Sequence, residues 1–484
     1  MGNPGPRFMT AERPDLSIST MQKTARRSLT LNALLAYRFG RLKSEWLIIY
    51  SFLGLSLIGA ALLLIPAATT RGRIPVIDAL FTATSAVCVT GLTVVDTGTY
   101  YTGFGQSVIL ILIQLGGLGI ITISTFFAIL LGKRMPLRQG EVVRQTHSSI
   151  DPASFASVVR RILFFTFAFE GAGSILLFSR WHTEFPPVEA AKLSVFHSVS
   201  AFCNAGFSLF HNSLMDYKAD VLVNFVVIGL IFLGGIGFLV IHDVERWIRY
   251  RKQLSLHSRL ALTVSAILIV SGAALFLLFE WRNALTGYSW WERVIIALFQ
   301  SVTSRTAGFN TVHFSILTNS SMVLIMFLMW VGGSPGSTAG GVKTTTFAIL
   351  IATAISRIQG QDSTNIWRRT IPAKIVSSMV AIVLISISVL FLFYFLLQWT
   401  EGGWIPHTVE GHRSLELAFE ATSAFGTVGL SAGITPHLTF WGKVQIIILM
   451  LVGRIGPLAI SVAIARRHTH RAQYEYYREN VMVG

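Results

Sequence analysis

Apolar residues run through this chain in long blocks, with shorter half-apolar stretches set inside successive pairs of them. The long blocks lie at 46–66, 105–131, 162–179, 220–241, 260–281, 320–357, 376–398 and 440–465. A helix needs about 20 apolar residues to cross a bilayer, so this pattern predicts eight spanning helices. The block at 320–357 is too long and too rich in glycine to be one uninterrupted helix. The short stretches are 78–88, 189–202, 292–304 and 416–425. Each is too short to span, and so predicts a half-helix that enters the membrane and returns.

A glycine follows each half-helix: Gly91 in TSAVCVTGLTV, Gly206 in VSAFCNAGFSL, Gly308 in VTSRTAGFNTV and Gly429 in TSAFGTVGLSA. A second cluster follows 25, 28, 24 and 24 residues later, at Gly116-Gly117, Gly234-Gly235, Gly332-Gly333 and Gly453-Arg454. Four copies of span, half-helix, glycine loop and span predict an all-α membrane protein with four walls around one path. The units divide as 45–131, 132–241, 242–357 and 358–465, with a basic N-terminal segment at 1–44 and a tail at 466–484.

Irregular backbone at membrane depth must be buried by protein or bathed by water. A glycine loop there can turn successive carbonyl oxygens toward an ion, because glycine reaches positive φ. The candidate oxygens belong to Val89, Thr90 and Gly91; Asn204, Ala205 and Gly206; Thr306, Ala307 and Gly308; and Thr427, Val428 and Gly429. An acid stands near the start of each half-helix, at Asp78, Glu189, Glu292 and Glu416. These carboxylates complement the helix macrodipole and leave the partly negative ends facing the loops, where a cation is stabilised. The alternative is that the glycines merely permit tight re-entrant turns.

Composition narrows the classes. Hydrophobic residues make up 52% of the 484 and charged ones 13%, which excludes a water-soluble globular protein. Lysine and arginine number eight in 1–44, six in 132–161, five in 242–259, four in 355–375 and four after 465. The positive-inside rule then places both termini in the cytoplasm. The net charge of +16 is explained by orientation and by anionic lipid headgroups, with no nucleic-acid partner. The first 44 residues lack an apolar signal-peptide region. Cys88 and Cys203 each stand three residues before a loop glycine, as small packing residues or as a disulfide or metal pair.

Two further features predict a gate. Gly332, Gly333, Ser334, Pro335, Gly336, Ser337, Thr338, Gly340 and Gly341 crowd helix breakers into the middle of one span, which must unwind there. The spacing from Gly308 sets this segment on the cytoplasmic side of the glycine loops. Lys343 and Arg454 are the basic residues nearest that depth, and Arg454 replaces the second glycine of the pair. A charge inside the membrane is costly and marks function. Arg454 facing the path would raise a barrier to cations; the alternative is a salt bridge or snorkelling. Snorkelling competes with a pore role for Lys343 as well. Arg305, beside the third loop, is read as a counter-ion for the half-helix carboxylates, the alternative being a residue of the path itself. GSTAGGVKT (Gly336–Thr344) imitates a phosphate-binding loop, but Val342 stands where its lysine must be and no strand precedes it.

With its four loops, WVGGSPGSTAGGVKTTT (Trp330–Thr346) and GRIGPL (Gly453–Leu458), the chain resembles the Trk/Ktr/HKT superfamily of potassium translocators over about residues 45–484. The resemblance implies four M1–P-loop–M2 units around one pseudo-fourfold pore, with potassium as the transported ion. Sodium, as activator or coupled ion, stays open. It implies a homodimer in the bacterial cytoplasmic membrane, docked on a nucleotide-binding regulatory ring of the KtrA type. It also makes the 332–343 loop and Arg454 gate elements. Eight spans, with a polar segment ahead of Trp46, look most like the KtrB-type subunits. Sodium-preferring relatives often carry serine in place of the first loop glycine, whereas this chain keeps all four. The residues two before each glycine, Val89, Asn204, Thr306 and Thr427, are not all alike, so a sodium-permeable relative is the near alternative. A membrane-embedded enzyme is the remote one: the histidines lie mostly in loops, Glu170 is the one acid well inside an outer span, and His197 stands alone.

Overall fold

Lipid offers a backbone no hydrogen-bond partner, so a chain this apolar can cross a bilayer only by satisfying itself through helices. The structure, a computed structural model, describes residues 44–130, 155–403 and 411–456, and these are mostly helical. The expectations for the N-terminal segment before residue 44, the basic linker at 131–154, Leu458 and the tail from 466 fall outside the described residues.

The helices follow in chain order: α1 (Ser44–Leu63), α2 (Val76–Val87), α3 (Gly103–Leu130), α4 (Phe155–Trp181), α5 (Pro187–Phe202), α6 (Val221–Ile236) and α7 (Phe238–Tyr250). Then come α8 (Leu256–Glu280), α9 (Trp290–Thr303), α10 (Asn319–Trp330), α11 (Thr344–Ile358), α12 (Ala373–Leu397), α13 (Arg413–Gly426) and α14 (Phe440–Ile455). Between α11 and α12 a hairpin pairs β1 (Thr364–Ile366) with β2 (Arg369–Ile371), placing Thr364 opposite Ile371. Val159–Trp181, Leu256–Glu280 and Ala373–Gly402 are each long and apolar enough to cross a membrane, and α6 with α7 qualifies as a pair bent by 102°.

The short helices α2, α5, α9 and α13 coincide with the four predicted half-helices and occupy the interior. Phe81, Phe299 and Phe419 on them are fully buried. The long helices surround them and turn apolar side chains outward, among them Leu278 on α8 and Phe391 on α12, each 69% exposed. An apolar exterior around a packed centre is the arrangement lipid solvent favours.

The segment after α10 unwinds as expected. Three other second helices break too, which the apolar runs do not reveal. α3 carries non-helical Gly119 (φ 71°, ψ 156°), α6 ends at Gly237 (φ 92°, ψ 139°) and α14 ends at Gly456 (φ 91°, ψ 135°). Each lies three residues after the first glycine of its cluster. A side chain would resist that backbone region, whereas glycine enters it freely.

Buried carboxylates tie the outer helix ends together. Glu280, ending α8, accepts from Thr318 N (2.9 Å) and Thr318 Oγ1 (2.8 Å) at the start of α10. Glu401, following α12, accepts from Thr439 N (3.1 Å) and Thr439 Oγ1 (2.6 Å) at the start of α14. Both pairs are separated by 38 residues, a repeat carried by chemistry rather than by hydropathy. Lys443 of α14 pairs with Asp78 of α2 at 2.7 Å, joining the last unit to the first.

Candidate functional site

Each interior helix ends in a serine or threonine that shapes the loop after it. Thr90 N donates to Ser85 O (2.8 Å), Ala205 N to Ser200 O (2.7 Å), Ala307 N to Thr303 O (2.9 Å) and Val428 N to Ser423 O (2.9 Å). The hydroxyls add a second tether: Ser85 Oγ accepts from Gly91 N (3.0 Å) and Ser423 Oγ from Gly429 N (3.1 Å). Ser200 Oγ donates to Phe207 O (2.8 Å) and Thr303 Oγ1 to Phe309 O (2.6 Å). With their amides bonded back to the helix, the peptides leave their carbonyls free for another partner.

The backbone conformation recurs as well. Val89, Asn204, Thr306 and Thr427 take φ of 55°, 61°, 75° and 49°, and two residues later Gly91, Gly206, Gly308 and Gly429 take 92°, 68°, 82° and 93°. Four non-glycine residues in the left-handed region, in one register, mark a constrained site rather than random loop geometry.

The loops meet. A Cβ on Gly91 would strike Ala205 O; on Gly206, Ala307 O; on Gly308, Val428 O; and on Gly429, Thr90 O. Each glycine faces the carbonyl of the next loop, and the fourth returns to the first, so the contacts close into a ring. The twelve candidate residues thus come together, and Thr90, Ala205, Ala307 and Val428 are fully buried within it. A cavity of about 330 Å³ lies over the ring, lined by all four glycines and by Asp96, His211 and Asn310.

A polar pair also braces each loop against its helix. His197 meets Ser208 Oγ (2.9 Å), Gln300 donates to Thr311 Oγ1 (2.9 Å), and Ser431 donates to Glu420 (2.9 Å), each pair 11 residues apart. In the first unit Tyr101 OH donates to Thr82 Oγ1 (3.1 Å). His197, read as solitary from sequence, belongs to this set, and Glu420 went unnoticed; the shared separation is the signal that finds them. Glu170 is buried and accepts from Gln114 (3.1 Å), a satisfied polar contact inside the helices.

The second glycine clusters serve close packing. A Cβ on Gly116, Gly234 or Gly453 would collide with Val87 O, Phe202 O or Phe425 O, the carbonyl four residues before each loop glycine. Cys88 and Cys203 are unpaired and buried, as packing residues are.

Under the ring lies the unwound segment between α10 and α11. Its neck is a bridge of Val331 with Val342, held by Gly332 N to Val342 O (2.9 Å) and Thr344 N to Gly333 O (3.1 Å). It reaches α6 through Ser334 N to Gly235 O (2.9 Å) and Thr338 N to Gly234 O (3.2 Å), while Phe238 N donates back to Gly336 O (3.2 Å). Gly340 packs directly on Thr427 and Gly426 of the fourth unit. One segment therefore touches both α6 and the loop that follows α13.

Unwound backbone leaves carbonyls without helical donors, and cationic side chains supply them. Lys343 Nζ donates to Ala339 O (2.6 Å) and Gly340 O (3.4 Å), folding onto its own loop. Arg454 donates to Thr338 O and to Gly116 O (2.6 Å), joining the loop to the first unit. Arg305 does not pair with the half-helix carboxylates. It donates instead to Ser265 Oγ (3.1 Å), Ser265 O (3.4 Å) and Gly332 O (3.4 Å), because the loop neck, not a helix start, is what its buried position reaches.

Residues 36–475 match the model of the TrkH family, described as a cation transport protein. The chain is 38% identical over 420 residues to the Ktr system potassium uptake protein B of Bacillus subtilis, covering 86% of this chain and 92% of that one. It is 37% identical over 449 residues to the potassium/sodium uptake protein NtpJ of Enterococcus hirae, covering 92% and 98%. The potassium transporter TrkH from Vibrio parahaemolyticus shares the fold, with a TM-score of 0.67 and 20% identity over 87% of this chain and 85% of that chain.

Proposed function

Because the chain belongs to the TrkH family of cation transport proteins, we propose that it takes up potassium through a path lined by the four-loop ring. It is a membrane transporter of cations, not an enzyme. The closed cycle of glycine-to-carbonyl contacts carries this reading. In this reading the four amide-anchored loops turn their carbonyls to a common axis and offer a dehydrated alkali ion oxygens in place of its water shell. The filter is then Val89–Gly91, Asn204–Gly206, Thr306–Gly308 and Thr427–Gly429, at the centre of four M1–P-loop–M2 units with eight spans.

Below it, the 332–343 loop with Lys343 and Arg454 acts as the gate. A segment that crosses the axis and is held by a cation at its tip blocks ions both sterically and electrostatically. Both termini lie in the cytoplasm of a bacterial cell, under the inner membrane. The chain works as a homodimer on a nucleotide-binding regulatory ring of the KtrA type, a reading that the name of the Ktr system relative supports.

A sodium-permeable pore is the second reading. The relative named as a potassium/sodium uptake protein and the mixed residues at Val89, Asn204, Thr306 and Thr427 (three types among four loops) favour it. Flux into proteoliposomes under a potassium gradient and under a sodium gradient decides between them. Potassium flux well above sodium flux is expected; equal fluxes select the second reading, and no flux of either ion sinks both.

A further inference from the structure

Three before each loop glycine stand Cys88, Cys203, Arg305 and Gly426, so one unit in four carries a cation there. That unit is also the one whose second helix holds the intramembrane loop. The coincidence has a geometric counterpart. Arg305 lies just past the C-terminus of α9, only 8% exposed, where the helix macrodipole favours a cation. Its guanidinium spans two elements: Ser265 of α8, through Oγ (3.1 Å) and O (3.4 Å), and Gly332 O at the loop neck (3.4 Å). Among the described residues it meets no carboxylate. A buried charge without a counter-ion is retained at a cost, so the carbonyls it bonds must need it.

Gly332 lies two residues past the end of α10, where the loop begins. Its N–H bonds Val342 O across the neck and its carbonyl takes the Arg305 donor, so both peptide groups are held. A small cavity of about 20 Å³, lined by Arg305, Ser265, Gly235 and Gly333, lies against the same neck. The loop is thus gripped by two arginines, Arg305 at its root and Arg454 at its tip.

We propose that Arg305 is the positioning residue of the gate, an anchor that fixes the neck on which the loop pivots and sets its closed position. This rests on the loop's acting as the gate. The planar fork is what the role requires: it reaches two acceptors on α8 and one on the neck at once, which a lysine point charge cannot.

Three variants test it in the full chain reconstituted in proteoliposomes: Arg305→Gln, Arg305→Lys and Ser265→Ala. A Ser337→Cys reporter in the loop is read by its rate of modification with a charged thiol reagent. Cys88 and Cys203 are buried and give little background. Arg305→Gln and Arg305→Lys should each raise resting potassium flux severalfold and speed modification of the reporter about tenfold, leaving the potassium-to-sodium ratio unchanged. Ser265→Ala, a mild change that folds even if the arginine variants do not, should shift both readouts in the same direction by a smaller factor.

The proposal falls if flux and modification rate match the parent in Ser265→Ala and in whichever arginine variants fold. It falls equally if Arg305→Lys behaves as the parent while Arg305→Gln leaks, since charge rather than grip would then be at work. Loss of ion selectivity alongside the leak would move Arg305 to the filter and also overturn it. Deleting 334–338 separates this from the gate reading. No rise in flux on deletion defeats the gate itself, whereas a rise there with none in the arginine variants defeats only the anchor.

Discussion

Replacing Gly206 with alanine perturbs the ring by one methyl group at a place where two loops touch. The new Cβ would lie 2.7 Å from Ala307 O, 2.8 Å from Gly308 Cα and 3.0 Å from Gly308 C, all backbone atoms that cannot rotate away. Ordinary contact is roughly 3.5 Å, so the neighbouring loop must retreat by about 0.7 Å. The φ of 68° adds a conformational cost of about 1–2 kcal/mol for an L-residue. Overpacking against a fixed neighbour adds about 1–3 kcal/mol. A penalty of about 2–5 kcal/mol against the native ring, at 1.36 kcal/mol per decade, predicts a flux loss of at least tenfold. Because the displaced atom is a carbonyl of the ring, discrimination between potassium and sodium should fall with it.

The assay is rubidium or potassium uptake in cells lacking their own potassium transport, followed by flux in proteoliposomes with each ion. Gly171→Ala is the control: it sits on α4, with nothing within 4 Å of a Cβ, and should leave uptake intact. If Gly206→Ala keeps both the parent flux and the parent ion ratio, the ring does not conduct ions.

Arg454→Ala removes the donors to Thr338 O and Gly116 O, so resting uptake should rise severalfold; unchanged or lower uptake counts against a cationic barrier. Asp78 and Lys443 form a mostly buried pair at 2.7 Å, so Asp78→Asn and Lys443→Met should each lower the thermal midpoint in detergent. The double variant should lose less than the two together, with a coupling on the order of 1–3 kcal/mol; strict additivity would show that the pair does not join the units. Glu292 caps α9 with Ser289, whose side-chain and backbone hydrogen bonds hold its carboxyl below the ordinary glutamate range. A depressed pKa gives stability that is present at neutral pH and lost as pH falls through the folded value. Acid melting should therefore soften in Glu292→Gln, and an identical pH profile would contradict the cap.

Much of this could be read before any coordinates. The four half-helices show as apolar stretches too short to span, and the loop glycines stand at the same place after each. The unwound segment at 332–341 is plain because so many helix breakers cannot share a helix. Other elements left weaker traces. Gly119, Gly237 and Gly456 break their helices singly, and a lone glycine in an apolar run is compatible with a continuous span. The partners of Arg305 differ from the expected carboxylates because sequence spacing does not reveal a carbonyl freed by a loop neck. Ser85, Ser200, Thr303 and Ser423 went unread because short polar side chains are common at helix ends.

The alternation of apolar length and glycine position by itself pointed to a membrane protein, and it set the expectation of four like units with irregular backbone between their helices. Those conclusions follow from local physics: the thickness of a bilayer, the reach of a helix and the torsional freedom of glycine. Only the folded structure decided that each loop glycine faces its neighbour's carbonyl, that the cycle closes, and that Asp78 meets Lys443 across 365 positions. It also decided which carbonyls Arg305, Lys343 and Arg454 serve. Contacts between distant segments depend on how helices pack against one another, and a linear pattern records what each helix can do without recording which neighbour it will meet.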